Sequence, residues 1–338
     1  MDDLPGSAVV AISGGVDSSV AALLLHRAGW SVTGLWFDLG VGQTPEPAAA
    51  AAARIGIPLE VIDARSRFAR GVVAPTRASY LAGRTPNPCA LCNPRIKFAL
   101  LAAAAAALPG ARIATGHYAR VALGPAGPVL RRGSDPSKDQ SYFLFALEAA
   151  ALGSALFPLG DLTKAEVRRV AAAAGLAAVR GAESQDCCFD PLPPAGDRPG
   201  EIVDVTGRVL GSHEGISRYT VGQRRGLGVA GGERLYVVRL EAERDRVVLG
   251  GHQHVLGREL IARLDGFGRE LIVGRRRARC RIRYRHEAAP AEIERLDDER
   301  FAVRFDEPQE AITPGQAAVV FDGESVLGGG WIERLAGA

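Results

Sequence analysis

Five cysteines carry the first chemical signal in this sequence. Four fall in two short segments: Cys89 and Cys92 in Arg84-Thr85-Pro86-Asn87-Pro88-Cys89-Ala90-Leu91-Cys92-Asn93, and Cys187 and Cys188 in Ser184-Gln185-Asp186-Cys187-Cys188-Phe189. Cys280 stands alone. That is not the spacing of a secreted disulfide scaffold, and reduced thiols in the cytoplasm are the simpler reading. With a helix beginning near Arg95, a cysteine at its N-terminus beside Arg84 and Arg95 is expected to have a lowered pKa and more thiolate. Two thiols that meet across a cleft can exchange a sulfur atom and finish as a disulfide. Cys89, Cys92 and Cys188 are also soft enough to hold a [4Fe-4S] cluster with one open iron, so both chemistries stand at this point.

A glycine loop supplies the second signal. Apolar Ala8 to Ile12 is followed at once by Ser13-Gly14-Gly15-Val16-Asp17-Ser18-Ser19 and then a helical pattern. Glycines let backbone N–H groups close on an anion, and the helix N-terminus adds partial positive charge. No Gly-Lys-Ser/Thr is present, so this is not the loop that wraps β and γ phosphates in P-loop NTPases. It resembles instead the SGGxDS loop of the ATP pyrophosphatase family, which cleaves ATP to AMP and pyrophosphate. That resemblance gives Asp17 a part in holding Mg²⁺, for which hard carboxylate oxygens are suited.

The basic residues are lopsided: of 41 Lys and Arg, three are Lys (Lys97, Lys138, Lys164), leaving 38 Arg. From Arg275 to Arg285, Arg277, Arg279, Arg281, Arg283 and Arg285 alternate with Ala278, Cys280, Ile282 and Tyr284. As a strand this segment puts guanidiniums on one face, a phosphate-binding row or, alternatively, a solvated face paired with Glu292, Glu294 and Asp297. His117, just past a strand, reads either as a site residue or as a hydrogen-bonded structural one.

These groups need a scaffold. Ala8 to Ile12, Val32 to Phe37, Leu59 to Ile62 and Ile113 to Thr115 are short apolar runs between helical stretches, which predicts a doubly wound parallel sheet. Thr163-Lys164-Ala165-Glu166 is a capping box opening a helix to Gly175. Prolines and glycines crowd 191–200, and short strands such as Leu235 to Leu240 and Arg246 to Leu249 follow. The expected domains are 1–200 (α/β, nucleotide binding), 201–255 (small and β-rich) and 256–338 (a β-barrel binding RNA). At 338 residues with 47% hydrophobic content, several cores can be filled. The longest apolar run, Phe98 to Pro109, is too short to span a bilayer, and Met1 to Pro5 lacks a targeting signal, so no membrane attachment is expected.

Taken in order, SGGVDSSV, GRTPNPCALCN with IKF, ATGHYAR, KDQSYFL, ESQDCCF, RYTVGQRRGLG, the Arg283-Tyr284 pair and PGQAAVVF resemble the tRNA-specific 2-thiouridylases over nearly the whole chain. The resemblance implies that ATP is lined by Ala11, Ile12, Ser13, Gly14, Gly15, Val16, Asp17, Ser18, Phe37 and Gly116. It implies Cys92 as nucleophile and Cys188 as persulfide carrier. It places Asn87, Pro88 and Cys89 against the target base, and His117, Lys138, Asp139, Gln140, Arg283, Tyr284 and Gln316 against tRNA. The implied partners are tRNA and a sulfur donor, either a cysteine desulfurase or a persulfide relay protein, and the implied reaction is 2-thiolation of uridine 34 in tRNAs for Lys, Glu and Gln. The sequence departs from the family where Cys89 stands in place of a frequent Asp, where Cys187 adds a thiol, and in the short segment between Asp38 and Arg54.

Overall fold

The computed structural model describes residues 6–124, 127–176, 187–193, 195–229 and 234–335. Ser184, Gln185 and Asp186 of the second cysteine segment lie outside them. The chain forms two compact units, one of residues 1–72, 89–189 and 324–327, the other of 73–88, 190–323 and 328–338.

In the first unit, β1 (Ser7–Ala11), β2 (Ser31–Asp38), β3 (Leu59–Asp63), β4 (Arg112–Ala114) and the short β7 (Ala155–Leu156) form a parallel sheet in the order β3-β2-β1-β4-β7. The hairpin β5 (Ala119–Gly124) and β6 (Gly127–Arg132) lies outside this sheet. Every second residue of β1 faces the same way. Ala8 and Val10 pack against α1 (Val16–Arg27), α2 (Glu46–Ile55) and α3 (Lys164–Ala173), while Val9 is equally buried outside that cluster and Ala99–Ala105 contacts β1. Continuous apolar strands are therefore required, and the doubly wound reading holds. The capping box is present: Glu166 N donates to Thr163 Oγ1 at 3.3 Å, and Thr163 N donates to Glu166 Oε2 at 2.8 Å.

The order of the sheet reverses at β1, between β2 and β4, and in such sheets ligands bind beyond the carboxyl ends of the strands at that point. The glycine loop follows β1, and Thr115-Gly116-His117 follows β4.

The second unit holds two β structures. β8 (Gly200–Asp204), β9 (Val209–His213), β10 (Tyr236–Glu241) and β11 (Arg246–Gly250) form a sheet in the order β10-β11-β8-β9 around Ile202, Val237, Val247 and Leu249. β12 (Leu256–Asp265), β13 (Arg275–Arg281), β14 (Ala289–Arg295), β15 (Arg300–Glu310), β16 (Ala317–Asp322) and β17 (Ser325–Leu335) run antiparallel in the order β12-β15-β14-β13-β16-β17, and pairing of β12 with β17 closes a barrel.

Of the two readings of the arginine row, the structure follows the paired face, with Glu292 and Glu294 among the partners and Asp297 bonded to Arg300 instead. The strand ends at Arg281, so Arg283 and Tyr284 sit in the bend that follows. Its guanidiniums are paired rather than free: Arg275 with Glu294 (2.9 Å), Arg276 with Asp322 (2.7 Å), Arg277 with Asp306, and Arg279 with Glu287 (3.7 Å). Cross-strand register places acids opposite the row, so the field it offers phosphate is largely cancelled. Among the described residues, no helix is long and apolar enough to cross a membrane.

Candidate active site

The loop after β1 is shaped by its small residues. Gly14 has φ +84°, and a Cβ there would lie 2.8 Å from Pro47 Cβ, so both backbone and space call for glycine. Ser18 Oγ donates to Gly15 O at 3.1 Å and accepts from Ser13 N at 3.1 Å, folding the loop over the start of α1. Ser19 Oγ donates to the same carbonyl at 2.9 Å. The loop is thus prearranged around the N-terminus of a twelve-residue helix, an anion-binding arrangement. Gly116 presses on it from the β4 side: a Cβ would sit 2.8 Å from both Asp17 C and Ser18 N. Phe37, half-buried near the end of β2, is positioned by the next strand over.

Asp17 is engaged on both oxygens. Lys164 Nζ donates to each at 2.7 Å, and Tyr118 OH donates to Oδ1 at 2.8 Å. Lys164 also lies over the Tyr118 ring, 5.9 Å from its centroid. Burial first, then the Asp17 carboxylate, hold the Tyr118 phenol far above its ordinary pKa, so it remains a donor. Both oxygens of the loop's carboxylate therefore face donors, and the Lys164 ammonium sets positive charge beside it. Neither Lys164 nor Tyr118 was singled out from the sequence, although a lysine inside a capping box was visible there.

Cys89 and Cys92 lie in a short helix, Pro88–Cys92, which runs directly into a π-helical turn, Asn93–Phe98. The helix starts at Pro88 rather than near Arg95, which puts Cys89 in its first turn and Cys92 a turn further in. Arg95 is exposed and donates to Gly71 O. Cys92 is 7% exposed, and burial pushes its thiol up to about 12, with nearby Lys97 opposing the shift. Burial raises Cys89 and Cys188 as well, again against Lys97. The predicted lowering is thus reversed, because desolvation outweighs the available charge.

Cys187 and Cys188 are exposed, and both lie within electrostatic reach of Cys92. Their segment is anchored by Phe189, edge-on to Phe68 at 5.5 Å. The structure therefore gathers Cys89, Cys92, Cys187 and Cys188 from the two segments, none of them in a disulfide. Among the described residues, however, no three Cys, His, Asp or Glu converge as a metal site. The described residues therefore give the iron–sulfur reading of Cys89, Cys92 and Cys188 no support.

His117 Nδ1 pairs with Thr115 Oγ1 at 2.8 Å, and the ring stacks on Phe98 at 6.2 Å. Burial, followed by the Lys97 charge, lowers its pKa to about 3, so the imidazole is neutral at physiological pH. Asp139 is buried and accepts from Gly133 N and Ser141 N; Gln140 Oε1 accepts from Tyr118 N at 3.0 Å. Both side chains face the protein, and Lys138 beside them is half-buried.

In the second unit, Gln316 Nε2 donates to Thr85 O at 3.0 Å and Pro86 O at 3.2 Å, and Thr85 N donates to Pro314 O at 3.0 Å. This clamp fixes the backbone just ahead of Asn87, which is 8% exposed, and of Pro88. Arg283 Nη1 donates to Glu310 O at 2.8 Å, and Arg281 lies over the Tyr284 ring at 5.3 Å.

Three family models match the chain: a tRNA methyl transferase HUP domain over residues 7–191, a tRNA methyl transferase PRC-barrel domain over 194–251 and an aminomethyltransferase beta-barrel domain over 267–332. The tRNA-specific 2-thiouridylase MnmA of Syntrophotalea carbinolica is 46% identical over 96% of this chain and 97% of its own length. This chain belongs to the tRNA-specific 2-thiouridylase family. The relative of the same name from Geobacter metallireducens is 45% identical over 96% of each chain, and that from Rhodospirillum centenum 44% over 96% of this chain and 91% of its own. A 2-thiouridylase with this sequence combines a glycine loop at the switch point of a parallel sheet with two pairs of thiols in the same compact unit.

Proposed function

We propose that the protein is an ATP-dependent tRNA uridine 2-sulfurtransferase acting in the cytoplasm on uridine 34 of tRNAs for Lys, Glu and Gln. The observation that carries this reading is the gathering of Cys92 and Cys188 in the unit that holds the glycine loop. Nucleotide-dependent activation alone needs no such thiols.

In this reading MgATP enters as substrate, its magnesium carried by the phosphates. Ala11, Ile12, the Ser13 to Ser18 loop, Phe37 and Gly116 line it. Asn87, Pro88 and Cys89 present the base, while His117, Lys138, Asp139, Gln140, Arg283, Tyr284 and Gln316 belong to the tRNA-binding face. The uracil O2 attacks the α-phosphate, and pyrophosphate leaves. The terminal sulfur of a Cys188 persulfide bonds to C2. The Cys92 thiolate attacks the inner sulfur of Cys188, the persulfide S–S bond breaks, and AMP departs with O2. A Cys92–Cys188 disulfide remains, which a cellular dithiol reduces with two electrons before a cysteine desulfurase or relay protein reloads Cys188. We divide the chain near residues 200 and 255 into nucleotide, middle and barrel domains. The matching family models carry methyl-transfer names, but methyl transfer gives the thiols and the loop no shared task.

Nucleoside mass spectrometry tests the proposal, using a tRNA for Lys incubated anaerobically with MgATP, a cysteine desulfurase and cysteine. We expect sulfur at uridine 34 with the native protein and none with Cys188→Ser, while pyrophosphate release persists. Undiminished sulfur with Cys188→Ser would remove that residue from the role of carrier.

A further inference from the structure

Cys92 presents a chemical problem: a buried thiol whose surroundings favour the neutral form must become a thiolate to act as a nucleophile. Histidine is a frequent activator of such thiols. Here the nearby histidine, His117, is neutral and tied to Thr115, so it supplies no positive charge. The arginines closest in sequence do not supply it either: Arg95 is exposed and bonded to Gly71 O.

The turn following Cys92 is π-helical, with Asn93–Phe98 making six residues of that geometry. In an α-helix, a residue five positions on is about 140° away around the axis, at 3.6 residues per turn. The wider π turn brings it nearly back to the same side, and π turns recur at functional sites. Lys97 is that residue. Cys89, three positions before Cys92 in the preceding α turn, shares the face as well. The Lys97 ammonium is half-buried and, among the described residues, has no salt-bridge partner. It lies within electrostatic reach of Cys89, Cys92, Cys188 and His117. The other titrating groups around Cys92 are Cys89, Cys187 and Cys188, which only oppose its ionisation.

We propose that Lys97 is a further catalytic residue, whose ammonium stabilises negative charge on the reacting sulfur of Cys92 and on whichever sulfur at Cys188 is ionised, with the π turn as the device that aims it. The role belongs to the chain's own thiols and does not depend on tRNA being the acceptor.

The test is the rate of iodoacetamide alkylation of Cys92 at pH 9 in metal-stripped, folded protein, read by peptide mass spectrometry in a Cys89→Ser background. Cys280, fully buried in the other unit, serves as the internal control for unfolding. Lys97→Met should slow Cys92 roughly tenfold, the effect of one pKa unit, while Lys97→Arg keeps most of the rate and Cys280 remains protected. If Lys97→Met exposes Cys280, Lys97→Gln takes its place. A Cys92 rate within twofold of the parent in a folded neutral variant, or equal slowing by Lys97→Arg, would overturn the assignment. No thiolation by the unaltered protein, with the alkylation rates as expected, would count against the proposed acceptor and leave Lys97 in place.

Discussion

Lys164 and Asp17 form a two-point ion pair, with Nζ 2.7 Å from each carboxylate oxygen across 147 residues of chain. The pair joins the start of α3 to the loop after β1, with side chains 14% and 23% exposed. Lys164→Met leaves the carboxylate with Tyr118 as its remaining side-chain donor among the described residues, and loss of one partner from a largely buried pair costs about 3 kcal/mol. We expect that loss in urea unfolding, together with at least about a hundredfold drop in pyrophosphate release, the scale of losing one charge-stabilising group at a reacting phosphate. A Lys164→Met enzyme with normal pyrophosphate release would confine the pair to a structural role.

Gly116→Ala tests the packing between the two loops. The added methyl would sit 2.8 Å from the backbone of Asp17 and Ser18, where no flexible side chain can yield. We expect about 1–3 kcal/mol of destabilisation from overpacking and ATP binding weakened about tenfold, near 1.4 kcal/mol. Calorimetric titration with a non-hydrolysable ATP analogue checks this, and unchanged affinity would place the nucleotide away from Gly116.

His117 gives a pH dependence with a definite sign. Its folded pKa, about 3, lies below the ordinary value of 6.5, so the unfolded chain binds more protons between those limits. Its contribution to stability is present above pH 6.5 and is lost as pH falls toward 3. His117→Gln should flatten the acid limb of stability against pH, measured by urea midpoints from pH 4.5 to 8. A limb as steep as the parent's would assign the acid sensitivity to other groups.

The clamp on the Asn87 loop separates two substitutions of the same glutamine. Gln316→Ala removes two hydrogen bonds, to Thr85 O and Pro86 O, and should cost about 1–2 kcal/mol. Gln316→Glu keeps the shape but points a carboxylate at two carbonyl oxygens, so it should be the more damaging of the two. Melting temperatures of the pair give the order, and equal shifts would mean that the amide donor contributes little.

Much of the scaffold was legible in the chain. The apolar runs around Val9, Leu35 and Ile113 had to become buried parallel strands, Thr163 and Glu166 had to open a helix, and Ser13 to Ser18 had to form an anion loop, because period, capping and glycine placement are local properties. The set of thiols was legible too, as were the motifs that resemble the family. Local pattern left the row from Arg275 to Arg285 open: alternation showed where guanidiniums would point and Glu292 and Glu294 were candidate partners, but not that Asp306 and Asp322 would meet them too.

Tertiary structure alone decided the electrostatics of the site. The sequence placed Arg84 and Arg95 beside the cysteines and suggested activated thiols. Folding buried Cys92, turned Arg95 outward and brought Lys97 within electrostatic reach of the sulfur. It also brought Lys164 to Asp17 and Gln316 to Thr85, pairs whose members lie 147 and 231 residues apart. Residue types and local spacing fix which groups are available and which elements carry them. Desolvation and long-range contact fix what charge those groups hold, because both depend on neighbours that the chain delivers only when it closes on itself.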